Sequence, residues 1–175
     1  LSSSILGVLK RHKVPVVHTA HDYRIVCPAY TFRRNDGTIC EACKGGKYYN
    51  CLLNRCSRGS LVQSLLMTAE MYLRNKWHKA ICKIDGFVFV SNFSHRKHIE
   101  CMPQLSLTRS IVSYNSTSTL DQKFISQERG DYFLFFGRLS SEKGIKTLIE
   151  AFAGLEGLRL KIVGTGPEEE ALKQY

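Results

Sequence analysis

Residues 131–152 read DYFLFFGRLSSEKGIKTLIEAF: an apolar run from Tyr132 to Phe136, a turn carrying Gly137, Arg138 and Lys143, and an amphipathic stretch from Ser141 to Ala153. Strand, glycine turn and helix in that order place two cations and a helix N-terminus at the carboxyl end of a strand in an α/β sheet, where a phosphate would sit. Arg138 offers a planar fork that matches phosphate oxygens and Lys143 a mobile point charge, while Gly137 lets the backbone turn sharply. Two cations suit a diphosphate. Ordinary surface residues after a strand use the same letters, so both readings stand at this point.

The pattern continues outward. Downstream, Leu158 to Val163 is another apolar run, followed by Gly164-Thr165-Gly166 and a helix entered at Pro167. Two glycines permit a ligand's close approach, and a plain tight turn uses them equally. Upstream, the spacing predicts a helix over 2–13, a strand over 14–17 ending in a polar loop with His18, Thr19 and His21, and a long helix over 59–84. A strand over 85–90, a helix over 92–100 capped by Ser91, and a strand over 110–114 follow. Alternating strands and helices predict βαβ units and parallel sheets. The expected organisation is therefore two Rossmann-like α/β domains, 1–114 and 131–175, joined by a linker over 115–130. Two strands alone would make the second segment poorly stable by itself.

Between 24 and 58 periodicity gives way to Cys, Gly, Arg, Lys and Tyr, which reads as an insertion. A structureless loop this long calls for a functional or metal-based reason. Cys40, Cys43, Cys51 and Cys56 fall within 17 residues and open with CxxC, with Cys27 upstream. Four thiolates so spaced match a tetrahedral zinc site, and two disulfides are the rival. Cys82 and Cys101 read as packing residues.

The 175 residues, 43% hydrophobic, suit a folded chain rather than a disordered one. The first residue is Leu1 and the last, Tyr175, falls inside an expected helix, so a longer parent protein is expected, with both domains incomplete here. No apolar run of membrane-spanning length and no secretory leader is present in these residues. Seven cysteines, an odd number, fit a reducing compartment and favour a cytoplasmic location. Residues 1–130 hold 19 Lys and Arg against 8 Asp and Glu, whereas 131–175 hold 6 against 7. The first part therefore carries the whole positive excess and favours an anionic partner.

FFGRLSSEKGIKTLIEAF and LKIVGTGPEEEAL, with HTAHDY and FVFVSNFSHRKH upstream, together resemble the family 4 group of nucleotide-sugar glycosyltransferases. The resemblance implies a GT-B fold, two domains facing across a cleft, and transfer with retention at the donor's anomeric carbon without a catalytic metal. It also implies that Arg138 and Lys143 clamp the donor diphosphate, that Gly137 forms their turn, and that His21 faces the donor sugar near the reaction centre. Gly164 and Gly166 match the turn near the nucleotide base. Ser113-Tyr114-Asn115-Ser116 departs from the family's Pro-Asn-Gly turn. The family's glycine-rich amino-terminal loop and its paired glutamates lie outside these residues, so the chain by itself is expected to be inactive.

The expected partners are a nucleotide sugar and a polysaccharide or lipid-linked acceptor of the cell envelope. The basic first part and its long helix add a candidate peripheral contact with anionic membrane at the cytoplasmic face. Two other classes compete: a zinc-containing basic nucleic-acid-binding module, and a non-catalytic descendant that keeps the fold as a binding domain. The nucleic-acid reading accounts for residues 24–58 but not for the turn at 137–144, and no nucleic acid is expected.

Overall fold

The computed structural model describes residues 3–116 and 130–175, and the chain divides into two compact units, Leu1–Ser116 and Thr117–Tyr175. Most of the expected linker, 117–129, lies outside the described residues.

The first unit is built on a three-stranded parallel sheet in the order β1 (Val17–Ala20), β2 (Gly86–Phe89), β3 (Arg109–Val112). Val17 pairs with Gly86 and Ala20 with Phe89; Gly86 in turn pairs with Arg109. Phe87 and Phe89 are buried on one face of β2, where they pack with Ala20, Ile81, Cys101 and Leu105. Preceding the sheet is α1 (Ser3–Arg11). Asp85 explains where β1 begins: its carboxylate accepts from Lys10 Nζ (3.0 Å) and from the Val16 amide (2.9 Å). The strand therefore starts at Val17, later than the expected 14–17, and His18 and Thr19 belong to the strand and not to the loop after it. After β2, α4 (Asn92–Cys101) starts as expected, with Ser91 Oγ accepting from the Ser94 amide (3.0 Å).

The expected helix over 59–84 breaks into pieces. Its regular part is α3 (Leu61–Tyr72), followed by a π-turn over Leu73–Trp77, a left-handed Lys79 (φ 44°) and a 3₁₀ turn over Ala80–Lys83. The helix widens where two side chains leave it to hold the insertion. Arg74 donates to the Arg24 carbonyl, and Asn75 Nδ2 donates to the Ile25 carbonyl (3.1 Å) and the Tyr48 hydroxyl (2.9 Å). The buried side of α3 is also not the leucine side, because Ser64, Thr68 and Met71 are buried while Leu61, Val62, Leu65, Leu66 and Leu73 are exposed. Its two hydroxyls can be buried because both are paired. Ser64 Oγ accepts from the Ser57 amide (3.1 Å), and Thr68 Oγ1 donates to the Tyr48 carbonyl (3.3 Å).

The insertion itself has structure. It contains an antiparallel bridge between Arg33 and Ile39, a 3₁₀ turn at Lys44–Gly46 and α2 (Tyr49–Leu53). Lys97 of α4 reaches it through an ion pair with Glu41 (2.6 Å).

His98 lies entirely inside the first unit, with Nδ1 donating to the Ser94 carbonyl (2.8 Å) and its ring packed on Tyr23 and Phe89. Burial holds the pKa of His98, and that of His18, below the ordinary 6.5. The unfolded chain then binds more protons than the folded one below about pH 6.5, so this part of the stability is present above that value and lost as pH falls through it. Melting temperature should drop between about pH 7.5 and about pH 5.5, and His98→Gln should flatten that drop. An equal drop in the variant would exclude His98 as a source of it.

The second unit pairs β4 (Tyr132–Phe136) with β5 (Arg159–Val163) in parallel, Tyr132 opposite Arg159 and Phe136 opposite Val163. Between them runs α5 (Ile145–Ala153), with Phe152 edge-on to Phe133 at 5.2 Å, and α6 (Glu169–Leu172) follows. Phe133, Leu134, Phe136 and Val163 are exposed, which leaves this two-stranded sheet with little cover. Among its described residues the buried ones are Leu139, Ser140 and Ile145, all beside the turn after β4.

Candidate functional site

The turn after β4 is held from below and open above. Its Gly137 (φ 152°) donates its amide to the Val163 carbonyl (3.0 Å), extending the ladder by one bond. Leu139 and Ser140 point inward, whereas Arg138 and Lys143 are exposed. The expected continuous helix from Ser141 is interrupted: a 3₁₀ turn over Ser141–Lys143 ends at left-handed Gly144 (φ 66°), and α5 starts only at Ile145. No side chain caps α5, so its first amides are left for a ligand or water. Ser140 Oγ donates to Glu142 (2.6 Å), and this bond, ahead of the neighbouring Arg138 and Lys143 charges, holds the Glu142 carboxyl below its usual range. The turn thus carries two cations and one fixed carboxylate.

Gly164 and Gly166 have a job inside the protein. A Cβ on Gly164 would run into the Gly137 carbonyl oxygen, and one on Gly166 into the Leu139 carbonyl. Leu139 donates to Thr165 O (2.9 Å), and Glu168 donates to Leu139 O (3.1 Å). These glycines let the turn after β5 lie directly against the turn that carries Arg138.

His21 follows the last residue of β1 at the carboxyl edge of the first unit's sheet, and it is exposed. The loop that presents it is anchored on both sides of the backbone. Asp22 accepts from the Arg24 amide (2.9 Å), and Tyr23 packs on Phe32 (4.6 Å) and on His98 (5.3 Å). The sequence alone does not mark His98 as a support for this loop. Its signal was present in SNFSHRKH, where Ser94 and His98 stand four apart on one helix face.

Cys40, Cys43, Cys51 and Cys56 come together, and Cys27 joins them: all five line one small cavity with Pro28, Ala29, Phe32 and Arg33. All seven cysteines are free. Burial first, then the neighbouring thiols, pushes the Cys43 and Cys56 pKa values up to about 12. Among the described residues no three His, Cys, Asp or Glu side chains stand in ready-made metal-ligand geometry. Cys101 is buried as expected, whereas Cys82, expected to be a packing residue, is exposed.

No curated protein and no solved structure matches the chain. The family comparison falls on the unit that holds the cationic turn: residues 116–175 match the model described as glycosyl transferases group 1, which supports a glycosyltransferase with a partial Rossmann-like domain of the GT-B kind.

Proposed function

We propose that the protein is a retaining, family 4-type glycosyltransferase that moves a sugar from a nucleoside diphosphate donor to a polysaccharide or glycolipid acceptor. The observation that carries this is the turn after β4, in which Arg138 and Lys143 stand exposed beside the uncapped start of α5 within the matched segment. Departure of a nucleoside diphosphate builds negative charge on the leaving oxygen, and fixed cations stabilise that charge. Arg138 supplies the fork and Lys143 the mobile charge, so the reading needs no catalytic metal. Gly137, Gly164 and Gly166 hold the two turns together, with the second assigned to the nucleotide side. His21 is assigned to the sugar end of the donor, where an imidazole can donate to a hydroxyl or take a proton.

A panel of nucleotide sugars tested by thermal shift checks the donor class, since a ligand bound only by the folded state raises its melting temperature. One nucleoside diphosphate and its sugar conjugates should raise it, and transfer from that donor should follow. No shift with any of them and no transfer would end the proposal.

The acceptor side of the reading is peripheral contact with anionic membrane at the cytoplasmic face. Leu61, Val62, Leu65, Leu66 and Leu73 form an exposed apolar strip, Trp77 is 81% exposed, and the exposed Lys76 and Lys79 lie beside it in sequence. Among the described residues no helix is long and apolar enough to cross a membrane. Such a surface suits burial at the headgroup level plus attraction to acidic lipid. Co-sedimentation with phosphatidylserine vesicles at low salt should occur, weaken at high salt and fall markedly in Leu66→Glu. Equal recovery with neutral vesicles, or none with either, would remove the membrane from the reading.

A further inference from the structure

The function above makes no use of the cysteines. Yet Cys27, Cys40, Cys43, Cys51 and Cys56, drawn from four places in the insertion, line one cavity of about 10 Å³, room for a single small ion or water. The start of the insertion packs into the first unit's core through Ile25, Val26 and Phe32, and the rest rests on a small second cluster. The cluster around Tyr48 and Met71 has Cys43 and Cys51 as its other buried members, with Cys56 and Tyr72 at its edge. The backbone is bent hard around the cavity, with left-handed conformations at Tyr30, Phe32, Arg55 and Arg58 as well as at Gly45 and Gly46, which follow Cys43. Such conformations in non-glycine residues persist where surrounding interactions over-determine them.

We propose that this cavity is a structural zinc site in which Cys40, Cys43, Cys51 and Cys56 bind one Zn²⁺ as thiolates. Four sulfur ligands in tetrahedral arrangement select zinc among the common divalent ions. Each thiol gives up its proton to solvent on binding, with no change of oxidation state. The resulting cluster carries two negative charges. Cations are at hand to offset them, because Arg33 lines the cavity and the Arg34 side chain hydrogen-bonds Cys40. Cys27 is the fifth thiol and is left out of the ligand set because the other four, opening with CxxC, fall within 17 residues, whereas Cys27 stands 13 residues upstream of Cys40. The ion fastens the insertion that Lys97, Arg74 and Asn75 grip from the helices, and thereby supports Phe32 beneath Tyr23 in the His21 loop.

The test is elemental analysis of the full chain purified under reducing conditions. About one zinc per chain is expected, falling below about a tenth in Cys40→Ser and Cys56→Ser and staying near one in Cys27→Ser and Cys82→Ser. Cobalt exchanged for zinc in the unmutated protein should give strong thiolate-to-cobalt absorption and tetrahedral ligand-field bands, a readout that does not depend on any variant folding. Absence of bound metal, or two intact disulfides among these thiols, would overturn the site. Zinc kept by Cys40→Ser and lost from Cys27→Ser would overturn the ligand assignment. None of these results bears on the glycosyltransferase reading, which uses none of these residues.

Discussion

Replacing Arg138 by alanine should lower kcat/KM for sugar transfer by about a hundredfold, on the order of 3 kcal/mol of transition-state stabilisation, in the full-length enzyme. The Arg138 side chain makes no hydrogen bond or ion pair among the described residues and is exposed, so the fold has little use for it. Exposed substitutions of that kind usually change stability by less than about 0.5 kcal/mol. Activity and melting temperature should therefore separate, with a large loss in the first and almost none in the second. Arg138→Lys should recover only part of the rate, because an ammonium replaces the charge but not the two-pronged fork. Turnover unchanged in Arg138→Ala would remove the diphosphate clamp from the proposed mechanism.

The cationic turn was readable because it is local: strand, glycine, cations and helix follow one another within residues 131–152. Even there, the break at Gly144 is not legible, since EKG within an otherwise helical run hides a left-handed residue until its φ is known. β2 was legible for the same reason, an unbroken apolar GFVF, and so was the cap at Ser91. β1 was displaced because its register depends on Asp85, which is distant in sequence and holds the Val16 amide. The buried side of α3 depends on distant partners in the same way. Leucines at helical spacing look like a core face, but Tyr48 and Ser57 of the insertion take the opposite side by pairing with Thr68 and Ser64. Cys27 was set apart from the quartet by its distance along the chain. Its turn, closed by the Val26 and Cys27 amides on the Tyr23 carbonyl (2.9 and 2.8 Å), carries it to the same cavity.

Gly164→Ala should unfold the second unit or force its two turns apart. The added methyl would enter the Gly137 carbonyl oxygen, which is backbone and cannot swing aside as a side chain would. A φ of 149° adds a conformation that alanine rarely adopts. Backbone strain of about 1–3 kcal/mol and overpacking of about 1–3 kcal/mol together make a cost of roughly 4 kcal/mol. Retreat is costly as well, because Gly137 donates to Val163 and Leu139 to Thr165 across the same contact. A unit resting on a two-stranded sheet has little stability from which to absorb such a loss. Gly154→Ala is the matched comparison: nothing lies within 4 Å of its Cβ position, and its φ is an ordinary −92°. Melting and amide exchange at Leu139 should be strongly altered in Gly164→Ala and nearly unchanged in Gly154→Ala. Since the displaced turn is the one that carries Arg138, nucleoside diphosphate affinity should fall with it, although neither glycine has a side chain to contact the ligand. Wild-type melting in Gly164→Ala would mean that the two turns do not touch in solution, and the packing role of Gly164 would have to be abandoned.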